Sequence, residues 1–202
     1  MEKLMGISKK LDTFFKVMQK LVFIGFAVMI LVTAILTIVN LVNPDAVIGE
    51  DFHIVDIGPI TIELAQELAL NNSAVLAYAW GVVLIGAVAA VVIYYVFGLV
   101  RKILQPMIEG RPFDAGVGAH IKKIGYASLA LGVVQNVGAM LETSMALKAF
   151  DLAAFTDSGA VRSITANYTL DLSFLIVFFL LLLISHVFNY GTELQQLSDE
   201  TI

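Results

Sequence analysis

Residues 97–125 decide how this chain is organised, and they read FGLVRKILQPMIEGRPFDAGVGAHIKKIG. They form a polar, basic interruption between long apolar runs, and five of the chain's 12 Lys and Arg residues lie between Arg101 and Lys123. Five more lysines precede Leu21. Lysine and arginine collect in the segments that stay on the cytoplasmic side of a membrane. The two basic clusters therefore predict which parts of the chain face the cytoplasm.

Composition places the chain in a membrane. Hydrophobic residues make up 59% of its 202 residues and charged residues only 14%, against roughly 25% in soluble proteins. A soluble domain of this size cannot bury so much apolar surface, whereas lipid can cover it. The chain has no cysteine, which excludes a disulfide framework, a thiolate metal site and a cysteine nucleophile.

Four long apolar runs are each long enough to cross about 30 Å of hydrocarbon, and only the third contains a charged residue, Glu142. The predicted spans are residues 21–42, 74–100, 124–146 and 172–189. The sequence thus predicts an all-α membrane protein, a single domain over 1–202 in which four transmembrane helices form a bundle. Both termini, the loop 101–123 and the tail 190–202 are predicted to be cytoplasmic. Residues 1–20 fit either an amphipathic helix at the membrane surface or a helical lead-in to the first span.

The two remaining segments, 43–73 and 147–171, are predicted outer loops with some β structure. The first holds six acids and no Lys or Arg, and its β-branched residues are interrupted by Gly58-Pro59, which favours short extended pieces. A short helix is predicted from Thr61 to Leu70. Alternation over Val161–Tyr168 predicts a strand that would pair with the first loop.

A metal or cofactor site is not predicted. His53 lies near several carboxylates of the first outer loop, but a lone histidine with scattered acids is a weak pattern for a metal site. We therefore assign no metal ligands and no cofactor.

Polar residues inside the spans form the first candidate site: Asn40, Gln135, Asn136 and Glu142. Gln135 and Glu142 are seven residues apart and share a helix face, with Asn136 beside it. Ionisable groups in a span are functional candidates. Two interpretations stay open, an interfacial Glu142 that reaches water and a buried Glu142 that pairs with Asn40 or Gln135 in a ligand cavity. On the same helix Gly125, Ser128, Gly132 and Ala139 form a stripe of small residues that allows close helix approach.

The cytoplasmic turn and the tail form the second candidate site. Glycine and proline predict a fixed turn after the second span, with the phenylalanine that follows packing back against the bundle. The turn is basic and the tail acidic, so the two can form one surface for a protein partner. A purely structural hairpin is the alternative. The candidate docking residues are Arg101, Gly110, Arg111, Pro112, Phe113, Gly191, Leu194 and Asp199.

These two segments also carry a family resemblance. The loop pieces RKIL (101–104), IEGRPF (108–113) and IKKIG (121–125), with the ending VFNYGTELQ (187–195) and DETI (199–202), resemble the pattern of the DUF2975 family. The resemblance implies a bacterial four-helix integral membrane protein of unknown function, often encoded next to a small helix-turn-helix regulator. Leu197 stands where the family tail carries an acid. The family supplies no catalytic residues.

Three classes of function remain. The first is a non-enzymatic signalling or regulatory protein of the bacterial cytoplasmic membrane with a cytoplasmic partner, such as a helix-turn-helix regulator. The second is a small transporter, exporter or immunity-type protein that uses the polar faces of its spans. The third, an intramembrane enzyme, is disfavoured because no catalytic motif is present. Besides the lipid bilayer, a second copy of the chain is a candidate partner, and direct nucleic-acid binding is not expected.

Overall fold

Four helices and one short hairpin make up the described structure. The computed structural model describes residues 2–43, 54–57, 60–63, 72–111, 113–149 and 170–200. The helices are α1 (Glu2–Val42), α2 (Asn72–Ile108), α3 (Val117–Ala149) and α4 (Ser173–Glu200). Each contains a segment long and apolar enough to cross a membrane, and α3 is the least apolar of them. The prediction of four membrane-spanning helices is confirmed at this level.

The first span continues into a long N-terminal extension. α1 is a single uninterrupted helix of 41 residues, which is about 60 Å long at 1.5 Å per residue. Residues 2–20 therefore continue the helix of the first predicted span. This agrees with the interpretation of the segment as a helical lead-in.

The hairpin pairs strands β1 (Ile54–Ile57) and β2 (Ile60–Glu63) antiparallel, with Ile54 opposite Glu63 and Ile57 opposite Ile60. The predicted helix start at Thr61 is wrong, since β2 runs to Glu63. β-branched side chains at Ile60, Thr61 and Ile62 suit a pleated strand better than a helix. The predicted strand over Val161–Tyr168 and the residue His53 lie outside the described residues.

The chain divides into two compact units. Unit 1 comprises Met1–Gly25, Val88–Val134 and Asp171–Ile202, and unit 2 comprises Phe26–Ala87 and Gln135–Leu170. Unit 1 contains the α2–α3 connection and all of α4. Unit 2 contains the hairpin and the other portions of α1, α2 and α3.

Glycines spaced by seven residues bring α3 and α4 together in unit 1. A methyl group at Gly125 would meet Leu181 Cβ at 3.4 Å, and one at Gly118 would meet the Ser185 carbonyl oxygen at 3.1 Å. Gly132 lies in the same way against Phe174. Buried Ser185 donates a hydrogen bond from Oγ to the Gly118 carbonyl oxygen at 2.8 Å. The glycines of α3 thus allow close approach of α4, because they carry no side chain at the positions where the two helices meet.

In unit 2, α1 turns a polar face inward. Thr33 is buried, and Thr37 Oγ1 accepts a hydrogen bond from Trp80 Nε1 at 3.0 Å. On α2 and α3, Gly81 lies against Met145 and Gly138 against Ile85. Hydroxyl and indole groups are therefore paired with each other within this unit.

Candidate partner-docking site

The C-terminus of α2 ends in a Schellman motif. Gly110 has a φ of 81°, the left-handed conformation that a glycine adopts without a Cβ clash. The Gly110 N–H donates to the Met107 carbonyl oxygen at 3.3 Å, and the Arg111 N–H donates to the Pro106 carbonyl oxygen at 2.9 Å. These two bonds satisfy carbonyl groups that a helix end leaves open. The predicted fixed turn at Gly110 is present, although Pro112 itself lies outside the described residues.

An Asx turn then starts α3. Asp114 Oδ1 accepts a hydrogen bond from the Gly116 N–H at 3.1 Å, and the Val117 N–H donates to the Asp114 carbonyl oxygen at 3.0 Å. The carboxylate of Asp114 lies beside the positive end of the α3 dipole, where a negative charge is stabilising. We define the α2–α3 turn as residues 109–116. Its backbone is held at both ends by local hydrogen bonds.

α4 holds the centre of this turn. The Phe113 ring packs against Phe188 with ring centroids 5.7 Å apart, and Gly191 leaves the space that the Phe113 ring edge occupies. Thr192 Oγ1 donates to the Phe113 carbonyl oxygen at 3.2 Å. Phe113 nevertheless remains 42% exposed. The turn and the beginning of the tail are therefore in contact, and Phe113 presents part of its ring on the surface.

Charged residues flank Phe113 in the sequence of the turn. Arg111 is exposed and pairs with Glu109, and its Nη1 lies 3.8 Å from Asp114 Oδ2. The hydrogen bond and charge of Glu109, followed by the charge of Asp114, raise the pKa of Arg111. The turn thus presents an exposed guanidinium whose positive charge is partly neutralised by the two neighbouring carboxylates.

A groove opens between the end of α2 and the start of α3. It has a volume of about 290 Å³ and carries both signs of charge. His120 Nδ1 lies 2.6 Å from the Gly116 carbonyl oxygen, which fixes the imidazole against the first turn of α3. The lining residues are Lys102, Gln105, Pro106, Glu109, Asp114, Gly116, Val117 and His120. Sequence reasoning missed this groove because it exists only once the turn folds α3 back onto α2.

Arg101, another candidate docking residue, is half-buried and bonded to side chains of α1. Its Nε donates to Asp12 Oδ1 at 2.8 Å and its Nη1 to Gln19 Oε1 at 3.1 Å. Buried Gln19 in turn donates from Nε2 to the Tyr94 carbonyl oxygen at 3.1 Å. Phe15 and Phe97 pack beside this network with centroids 5.5 Å apart. Arg101 therefore joins α2 to α1 through an ion pair with Asp12.

The other candidate docking residues lie along the end of α4. Gly191 contacts Phe113, and Leu194, one helical turn further along, is exposed. The side chain of Asp199 lies outside the part that the structure describes.

The polar residues predicted inside the spans all belong to unit 2, but they differ in exposure. Gln135 is exposed, while Asn40, Asn136 and Glu142 are half-buried. Within the described part of the chain, Asn40 Oδ1 is buried and has no hydrogen-bond partner. Among the described side chains, no three His, Asp or Glu residues come close enough to share a metal ion.

Four apolar helices, with lysines and arginines gathered at the α2–α3 turn and along the start of α1, define a multi-pass membrane protein. The model of a family described as "Protein of unknown function (DUF2975)" matches residues 63–202, more than half of the chain. The chain therefore belongs to the DUF2975 family. The match includes α2, α3 and α4 and leaves out α1. No curated protein and no solved structure matches the chain.

Proposed function

We propose that this protein is a non-enzymatic signalling or regulatory protein of the bacterial cytoplasmic membrane, which docks a cytoplasmic protein partner on its α2–α3 turn. The observation that carries the proposal is the construction of that turn. A Schellman motif, an Asx turn and the Thr192–Phe113 hydrogen bond fix its backbone, yet Phe113 and Arg111 stay exposed on it. An ordered loop that presents an aromatic ring and an arginine is typical of a binding surface.

The orientation that this proposal needs follows from the basic residues. All the lysines whose side chains are described lie in unit 1, and all are exposed: Lys9, Lys10, Lys16, Lys20, Lys102, Lys122 and Lys123. With these residues in the cytoplasm, four crossings leave both termini there and the β1–β2 hairpin outside. Reporter fusions at Asp114 and Asp56 are expected to report cytoplasmic and external locations, and an external location for Asp114 would overturn the orientation.

The docking proposal is tested by photocrosslinking in living cells. A photoreactive amino acid at position 111 is expected to capture a soluble protein, and Phe113→Ala in the same chain is expected to reduce that capture at least several-fold. The matched control is the same probe at Val137, an exposed position on the apolar part of α3, which is expected to capture no soluble protein. Equal capture at both positions would contradict the proposal. So would the absence of capture at position 111 in cells that insert the protein into the membrane.

A transporter, exporter or immunity-type function is the alternative, and one observation favours it. Among the residues that the structure describes, Asn40 Oδ1 is buried without a partner in the same unit as Glu142. A buried polar atom without a hydrogen bond costs about 1–3 kcal/mol, which a polar ligand or water would recover. If Glu142→Gln or Asn40→Leu abolishes transport or toxin resistance in cells while Phe113→Ala leaves both intact, the alternative replaces the docking function.

A further inference from the structure

α4 carries a second apolar surface, on the side opposite its contact with α3. Six side chains follow each other at alternating spacings of four and three residues, and each is between 49% and 65% exposed. We call them the α4 stripe: Ile176, Leu180, Leu183, Val187, Tyr190 and Leu194. A spacing that alternates in this way is the heptad pattern of a coiled-coil seam.

The stripe is separate from the inner packing of unit 1. The residues of α4 that contact α3 and the α2–α3 turn are Phe174, Phe178, Leu181, Ser185, Phe188, Asn189, Gly191 and Thr192. At 100° per residue, all of these except Gly191 lie on the opposite side of the helix from the stripe, and Gly191 lies at the edge of the stripe. Ser185 is only 2% exposed, whereas the stripe residues on either side of it, Leu183 and Val187, are 64% and 60% exposed.

Lipid explains only part of the stripe. A span that begins at Ser173 crosses about 30 Å of hydrocarbon within roughly 20 residues, so it ends near position 192. Leu194 lies beyond that point, between the exposed polar residues Glu193, Gln195 and Gln196. Tyr190 sits at the boundary. The seam thus continues without a shift in register from the apolar part of α4 into its polar end.

We infer that a second copy of this chain covers the α4 stripe, so that two copies associate in parallel along α4. Coiled-coil seams of this type are self-complementary, because like positions meet across a two-fold axis. The exposed area of the six side chains is on the order of 700 Å², close to the roughly 800 Å² per partner of a standard specific interface. No charged side chain lies within the stripe.

α1 has a comparable exposed row, so the test must separate the two helices. Ile7, Leu11, Phe14 and Leu21 are 50%, 41%, 52% and 51% exposed and are spaced by four, three and seven residues. The family match includes α4 and leaves out α1, and we therefore place the contact between copies on the α4 stripe.

Cysteine scanning tests this directly, because the chain has no cysteine of its own. Single substitutions are made at Leu183, Val187, Tyr190 and Leu194, and oxidation is carried out on purified protein in lipid nanodiscs, without any partner. Disulfide-linked dimers are expected at these four positions. Gln195→Cys and Gln196→Cys are the matched controls, since both are exposed at the same depth but off the stripe, and they are expected to link at least five-fold less.

A second measurement covers the case of poor cysteine reactivity. Leu194→Asp lies at the polar end of α4, where a carboxylate does not obstruct membrane insertion, and it is expected to convert the detergent-solubilised dimer to a monomer by light scattering. Gln196→Asp is expected to leave the mass unchanged. A monomeric wild-type protein, linking without periodicity, or strongest linking through Phe14→Cys or Val17→Cys on α1 would overturn the inference. None of these outcomes depends on the docking proposal.

Discussion

Replacing Arg101 with methionine removes the guanidinium that joins α2 to α1 while keeping a side chain of similar length. Two hydrogen bonds are lost, one to the Asp12 carboxylate and one to the Gln19 amide. A charge-assisted hydrogen bond contributes about 1.5–3 kcal/mol and a neutral one about 0.5–1.5 kcal/mol. The Arg101 and Asp12 side chains are 33% and 28% exposed, so solvent screening reduces the first contribution. We expect a loss of about 2 kcal/mol in the free energy of unfolding.

The assay is reversible unfolding in mixed micelles by increasing SDS, followed by far-UV circular dichroism. Lys102→Met is the matched control, because Lys102 is the next residue, is exposed and lines the groove. It is expected to change the free energy of unfolding by less than about 0.5 kcal/mol. In a double-mutant cycle, Asp12→Asn and Arg101→Met are expected to show a coupling energy of about 1 kcal/mol. If Arg101→Met is as stable as Lys102→Met but loses partner capture, then Arg101 is a docking residue and the reasoning above is refuted.

Three further predictions concern the turn, the glycine stripe and the start of α4. Gly110→Ala is expected to lower the free energy of unfolding by about 1 kcal/mol in the same SDS titration, because a Cβ is strained at its positive φ, and an unchanged midpoint would contradict the Schellman assignment. Gly125→Leu is expected to reduce the protection of α4 amides from hydrogen exchange, whereas Gly25→Leu, where nothing lies within 4 Å, is expected to have no effect. Asp171 Oδ1 accepts the Ser173 N–H at 2.8 Å, and this bond lowers the pKa of Asp171. Its stabilisation of α4 is therefore present above about pH 4 and is lost as the pH falls through the lowered pKa. The protection factors of the first α4 amides, which compare measured with intrinsic exchange, are expected to fall below pH 4 in the wild type, and Asp171→Asn is expected to remove that fall.

The sequence predicts the helices because each depends on a local pattern. Apolar runs of about 20 residues and basic clusters can be read directly from the chain, and so can the turn at Gly110. The small-residue stripe was predicted from Gly125 and Gly132, but Gly118 was missed because it lies in the polar segment before the span.

Contacts between residues far apart in the chain were beyond sequence reasoning. Asp12 and Gln19 are 89 and 82 residues from Arg101, and nothing local indicates that they meet. The sequence therefore predicts Arg101 on the docking surface, whereas in the structure its guanidinium bonds to Asp12 and Gln19 of α1. The same holds for Thr192 and Phe113, which are 79 residues apart. Leu194 is a predicted docking residue because it belongs to the tail, and the periodicity of α4 also aligns it with Tyr190 and Val187.

The two proposed surfaces of unit 1 adjoin each other on α4. Phe113 rests at Phe188 and Gly191, and Gly191 lies one helical turn from Val187 and Leu194 of the α4 stripe. Association along the stripe and docking at Phe113 are therefore expected to influence each other. Two parallel copies related by a two-fold axis would present two α2–α3 turns on the same side of the membrane. A partner that is itself a dimer would then bind both turns at once, and the second contact would form at a high effective concentration. Weak docking at each turn is enough, in such an assembly, for stable recruitment to the membrane.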